Sequence, residues 1–275
     1  MSFRKQKNLR QNNRDRDSNK QNQKGEELDT NNPIIKQFQI YSVELDDKHD
    51  RHERLVKASR DVTIESKRII FLLHNIDARK NNKTAVLEEA KQRIEKLCTQ
   101  NFLVIARELQ GYDIYQYIRA ISAGIQEFIE AFTFCEYLQD KELSDWNQIE
   151  KRFKYKTEDN NEYKFDLIPC EFMLGLADLT GEIMRHCINS LGSGDTDNCF
   201  KTCKFLQNIY SKYLTLDSVP NRGRDFSQKM STMRASTLKC EHVCYNLMVR
   251  GTEGSKLVSF DGATGVDADN DEGFF

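Results

Sequence analysis

Between Pro33 and Arg79 the chain carries no further proline and no glycine. A stretch that long without a breaker reads as one α-helix, because nothing in it forces the backbone out of helical geometry. Asn32 and Pro33 supply the start: an Asn caps the free N–H groups, and Pro at the first helical position has no N–H to lose. Leu55, Val62, Ile69 and Ile76 recur every seven residues, with Ser59, Ser66 and Leu73 between them. That face is apolar, and its serines are small enough for another helix to come close. At 1.5 Å per residue such a helix spans roughly 70 Å. The reading is therefore an elongated bundle that assembles, with apolar seam left over for a partner.

The rest of the chain repeats the helical pattern. A second helix is expected from about Thr84 to Leu109, stopping at Gly111, and a third from Asp113 to about Gln139. Ser144 is expected to cap a short fourth helix carrying Trp146 and Ile149. Residues 154–168 are polar and read as a loop. Pro169 opens a fifth helix to about Ser190, a sixth covers about 197–215, and a seventh runs from about Asp225 to Arg250 after the break at Pro220–Gly223. No segment reads as a strand. With 3 prolines, 13 glycines and 31% charged residues, the fold class is an all-α, elongated bundle of about seven helices.

Several function classes drop out. No apolar run approaches the ~20 residues of a membrane span, and no signal peptide opens the chain. Eight scattered cysteines read as reduced, buried thiols and point to a cytoplasmic or nuclear protein. Cys240 and Cys244 would share a helix face, but His242 points away and no second ligand pair follows, which speaks against zinc. The net charge of −2 gives no global basic field. Charge is instead concentrated in residues 1–31. There Arg4, Lys5, Lys7, Arg10, Arg14, Arg16, Lys20 and Lys24 stand in an Asn/Gln-rich segment with almost no apolar residues. This arm cannot bury a core and is expected to be disordered. It reads equally as a nuclear import signal, a nucleic-acid contact or a solubilising tail. Residues 251–275 read as a loose acidic tail, leaving 32–250 as the helical domain.

The sharpest chemistry lies in two acidic pairs. Glu127 and Glu130 are three apart on the third helix, and Asp178 and Glu182 are four apart on the fifth, so each pair shares one face. Two helices that each present two carboxylates inward are how bundles hold divalent metals. Oxygen donors without His or Cys favour Mg²⁺ or Mn²⁺. Gly124, Gly175 and Gly181 each weaken their helix by up to about 1 kcal/mol relative to Ala. They read either as space cleared for a metal and a substrate phosphate or as ordinary helix crossings. The acidic pairs likewise read either as ligands or as surface charge.

Longer motifs then carry a resemblance. Ser59–His74 (SRDVTIESKRIIFLLH), Gln126–Ala131, Gly175–Glu182, Cys187–Ser190 and Cys244–Gly251 occur in the order found in the translin-associated factor X (TRAX) branch of the translin family, which the chain resembles over about residues 33–251. The resemblance implies an all-α fold of seven helices and co-assembly with translin into a hollow hetero-oligomer, expected to be an octamer. It implies binding of single-stranded RNA and of short or nicked duplex RNA. It further implies a Mg²⁺-dependent endoribonuclease that works with the RNA-silencing machinery by removing nicked passenger strands, and that trims tRNA precursor fragments. The family's acidic site falls on Glu127, Glu130, Asp178 and Glu182. Glu130 and Glu182 are first choice as ligands, Asp178 completes or bridges the shell, and Glu127 supports it or acts as general base. The 154–168 loop is shorter than in vertebrate relatives.

Arg119, Lys67, Arg68 and Arg185 are candidates for RNA backbone contacts, each set against an ordinary surface ion pair. His74 reads as a satisfied core or interface histidine. The competing function is a non-catalytic RNA-binding or scaffold subunit whose carboxylates only support structure. A ferritin-like oxidoreductase is disfavoured, since neither Glu130 nor Glu182 has a His three residues on.

Overall fold

The computed structural model describes residues 32–77, 80–156, 160–191, 196–216 and 224–250. The basic arm, the acidic tail and the break before residue 224 lie outside them. The chain divides into two units, Met1–Asp50 and Arg51–Phe275.

The elements are α1 (Pro33–His74), α2 (Lys83–Lys96), α3 (Phe102–Glu108), α4 (Ile118–Leu138), α5 (Trp146–Glu150), β1 (Lys154–Lys156), β2 (Glu162–Lys164), α6 (Pro169–Leu191), α7 (Thr196–Thr215) and α8 (Arg224–Arg250). A π-helical turn, Leu97–Asn101, joins α2 to α3. Counting that pair as one rod, the described residues form seven helices, as expected. No helix among the described residues is long and apolar enough to cross a membrane.

Local chemistry explains the starts and stops. The Asn32 side chain accepts the Ile34 N–H at 3.0 Å, capping α1. The helix ends at His74, short of Arg79. Beyond it, the Asn82 amide ties the turn together, accepting from the Asp77 N–H and donating to the Asn75 carbonyl, both at 2.9 Å. Gly111 stops the α2–α3 rod with φ of +81°, a left-handed conformation only glycine adopts freely. Asp113 caps a 3₁₀ turn, Ile114–Gln116, rather than the third helix itself, which begins at Ile118.

Two expectations fail here. Asp145, not Ser144, caps α5: its side chain accepts the Gln148 N–H at 2.8 Å while Gln148 reaches back to the Asp145 N–H at 3.0 Å, a capping box. Ser144 instead donates to Glu136 through its N–H and hydroxyl. The supposed loop at 154–168 holds an antiparallel hairpin, with Tyr155 opposite Tyr163. Lys-Tyr-Lys and Glu-Tyr-Lys alternate with period two, a strand signal too short to stand out. The hairpin's value is in its flanks. Phe153 and Phe165 pack with Phe102 and Phe128, ring centroids 4.5–5.7 Å apart, and all four are fully buried. The Tyr155 hydroxyl donates to the Cys98 carbonyl in the π turn at 2.7 Å.

The seven-residue seam of α1 is core. Leu55, Val62 and Ile69 are fully buried, as is Leu73, with buried Ser59 and Ser66 between them, whereas Ile76, the fourth residue of the repeat, lies past the end of α1 and is half-buried. Each such aliphatic side chain contributes about 1.5–3 kcal/mol on burial. The seam is thus covered by the chain itself, against the expectation that a partner would cover it. α6 is central, packing on α4, α7 and α8. All eight cysteines are free thiols, and all but Cys170 are buried. Cys240 and Cys244 face the core while His242 faces outward.

Candidate functional site

The α4–α6 crossing builds the site. Gly175 makes it: a Cβ there would lie 2.7 Å from the Gln126 carbonyl oxygen and 2.8 Å from the Ile129 Cβ. On the other side of α4, a Cβ on Gly124 would lie 2.7 Å from the Ser59 hydroxyl of α1. These two glycines are helix crossings, not space cleared for a ligand. Their effect on the site is to draw backbones together so that carboxylates from two helices meet. Of the three helical glycines singled out, Gly181 alone faces open space, with nothing within 4 Å of where a Cβ would stand.

Glu127 and Glu130 from α4 and Asp178 and Glu182 from α6 converge at this crossing. Glu130 is buried and the other three are half-buried. Burial, then the neighbouring carboxylates of Glu127, Asp178 and Glu182, push the Glu130 carboxyl up to about 9. Burial also raises Glu127 and Asp178, opposed by Lys67 and Lys229 respectively.

Three of the four carboxylates face a cation or histidine of the chain. Glu127 pairs with Lys67 at 3.3 Å, Asp178 with Lys229 of α8, and Glu182 with the His74 Nε2. Arg185 stands 3.8 Å from the same Glu182 oxygen. Among the described residues, no ion pair engages Glu130. Among the described residues, no group of three or more His, Cys, Asp or Glu side chains is arranged to hold a metal ion. The donor set nonetheless fits a hard divalent ion. It is all oxygen and lies at one helix crossing, and Glu130, its one buried member, is crowded by three like charges that a divalent cation would offset.

The other expected residues are spread out. Lys67 and Arg185 stand beside the cluster in the pairs just described. Arg68 pairs with Glu65 at 3.4 Å on its own helix, and Arg119 lies near the start of α4. His74 departs from its expected role. One ring nitrogen meets Glu182, and the buried Nδ1 has no hydrogen-bond partner among the described residues. It is a member of the site, not a satisfied core residue.

Sequence reasoning missed a polar relay behind the cluster. Buried Glu171 accepts from the Ser122 hydroxyl and the Gln126 amide, both at 2.6 Å. The Gln126 side-chain amide oxygen then accepts from Lys229 at 2.8 Å. One signal was available: Glu171 lies seven residues before Asp178, on the same helix face. Nothing in the sequence brought Lys229 to the site, because it lies 51 residues after Asp178, on another helix.

The Translin family pattern matches residues 50–251. Translin-associated protein X of Pongo abelii is 36% identical over 258 residues, covering 88% of this chain and 87% of that protein. The Translin-associated protein X homolog of Schizosaccharomyces pombe is 27% identical over 207 residues, covering 75% and 84%. In fold, the chain resembles the solved structure of an AfC3PO–duplex RNA complex, with a TM-score of 0.56 at 18% identity, covering 82% of this chain and 99% of that one. The chain belongs to the translin family.

Proposed function

We propose that the chain is the catalytic subunit of a hetero-oligomer with translin, a divalent-metal-dependent endoribonuclease acting on single-stranded or nicked RNA. The observation that carries this reading is Glu130: a buried carboxyl crowded by three others, with no ion pair among the described residues engaging it. A structural carboxylate is normally paired when buried. One left this way at a helix crossing is a ligand in waiting. Glu130, Glu182 and Asp178 would hold Mg²⁺ or Mn²⁺, with Glu127 in support. When bound, such an ion supplies Lewis acidity toward a phosphodiester and a water of lowered pKa.

The chain's own residues supply the remaining parts. His74 orients Glu182 from behind, as partners of ligating side chains do. Lys67 and Arg185, beside the cluster, and Arg119, on the same helix as Glu127 and Glu130, would meet RNA phosphates, contacts that position a substrate without reading its sequence. The relatives support this choice of partner and substrate. One is named for association with translin, and a structural neighbour was solved with duplex RNA. Removal of nicked passenger strands in RNA silencing and trimming of tRNA fragments are the proposed tasks, in cytoplasm and nucleus.

A second reading has its own support. Lys67, His74 and Lys229 already engage three of the carboxylates, as they would in a non-catalytic RNA-binding scaffold. A nuclease assay on the complex co-purified with translin, with and without Mg²⁺, separates the two. Glu130→Ala and Glu182→Ala should each lower Mg²⁺-dependent cleavage at least about 100-fold with the assembly intact, since even supporting partners of a metal site cost 10–100-fold. Near-normal cleavage by both variants would favour the scaffold.

A further inference from the structure

Lys229 differs from the other cations near the cluster in how it is held. Its ammonium lies between the Asp178 carboxylate and the Gln126 side-chain Oε1, joining α8 to both α6 and α4. Gln126 cannot turn freely, because its NH₂ group donates to Glu171 at 2.6 Å and to the Ser122 hydroxyl at 2.9 Å. The relay therefore presents an oxygen to Lys229 and builds a seat for it. Lys229 is 20% exposed, whereas Lys67, on Glu127 at 3.3 Å, is 65% exposed. An exposed pair of the Lys67 kind is weakened by solvent; the Lys229 pair is sheltered.

We propose that Lys229 is an exchangeable counter-ion, which holds Asp178 in the metal-free chain and yields that carboxylate to an entering divalent cation. The inference rests on the metal-site reading above. A single ammonium neutralises one of four carboxylates. A divalent ion among them interacts favourably with all four, and so displaces it. After the exchange the ammonium keeps its Gln126 bond and stays beside the site. Lys229 thereby sets a threshold for metal loading and keeps Asp178 posed until loading occurs.

The test measures Mn²⁺ binding to the full chain, co-purified with translin, by the electron paramagnetic resonance signal of free Mn²⁺. Lys229→Met should bind Mn²⁺ at least tenfold more tightly than wild type. Lys67→Met makes the same change in charge at the exposed pair and should stay within twofold. Glu182→Gln should lose the site. If Lys229→Met does not fold, Lys229→Gln, which can still hydrogen-bond Gln126, carries the comparison. Unchanged or weaker binding in the Lys229 variant, with the Glu182→Gln loss intact, overturns the counter-ion and leaves the metal site standing. Equal tightening in Lys67→Met also overturns it, since general charge would then suffice. Wild-type binding that Glu182→Gln does not alter overturns the metal reading and the inference with it.

Discussion

Glu130 makes the metal-free chain sensitive to pH. Its folded pKa, about 9, stands above its ordinary value of 4.5, so the folded state holds a proton that the unfolded state has released. The stabilisation is complete below pH 4.5 and is lost as the pH rises toward about 9. Glu127 and Asp178 are raised as well and act in the same direction. Each pH unit in that window costs about 1.4 kcal/mol per proton held only by the folded state. Thermal melting without metal should therefore fall from about pH 5 to about pH 9, and Glu130→Gln should flatten the fall. A wild-type profile as flat as the variant's would mean that the carboxyl ionises without strain. That the two acidic pairs meet came only from the family resemblance, though each pair was legible from its i, i+3 or i, i+4 spacing. Their partners were not. His74 and Lys229 lie on helices distant in sequence, and a lone His or Lys on an amphipathic helix carries no mark of what it faces.

The helices α4 and α6 meet where glycine allows them to. Gly175→Ala would press a methyl against the backbone carbonyl of Gln126 and the Cβ of Ile129, neither of which can swing aside. Overpacking of this kind costs about 1–3 kcal/mol, more than the gain of up to about 1 kcal/mol in helix propensity. Gly181→Ala meets nothing and should stabilise by up to about 1 kcal/mol. Denaturant unfolding of both variants checks the contrast, and a Gly175→Ala protein as stable as wild type would show that the helices can part at little cost. Helix periods and breakers made most element boundaries legible to within a few residues. The π turn at Leu97–Asn101 and the hairpin were not. In the first, the Cys98 carbonyl accepts from the Tyr155 hydroxyl of a strand distant in sequence, and the second rests on three-residue strands flanked by buried Phe153 and Phe165.

For the whole molecule, the question is what covers its apolar surface. The seam that suggested assembly, Leu55 to Ile76, is spent on the chain's own core as far as Leu73. Exposed apolar residues lie earlier on α1, within the Met1–Asp50 unit. Ile34, Phe38, Tyr41 and Leu45 are 65%, 66%, 49% and 63% exposed. Their spacing of four, three and four places them on one helix face. A soluble chain rarely leaves such a stripe bare, and one that does so marks an interaction surface. Under the proposed function that surface belongs to translin. Phe38→Ser with Leu45→Ser removes the centre and end of the stripe without touching the carboxylate site or the core. Size-exclusion chromatography of the co-expressed proteins should then show the complex weakened at least tenfold, since each deleted side chain gives up roughly 1.5–3 kcal/mol of burial. The melting transition of the remaining chain should hold its place. Assembly at wild-type strength would assign the translin contact to another face and leave the stripe without a role in the complex.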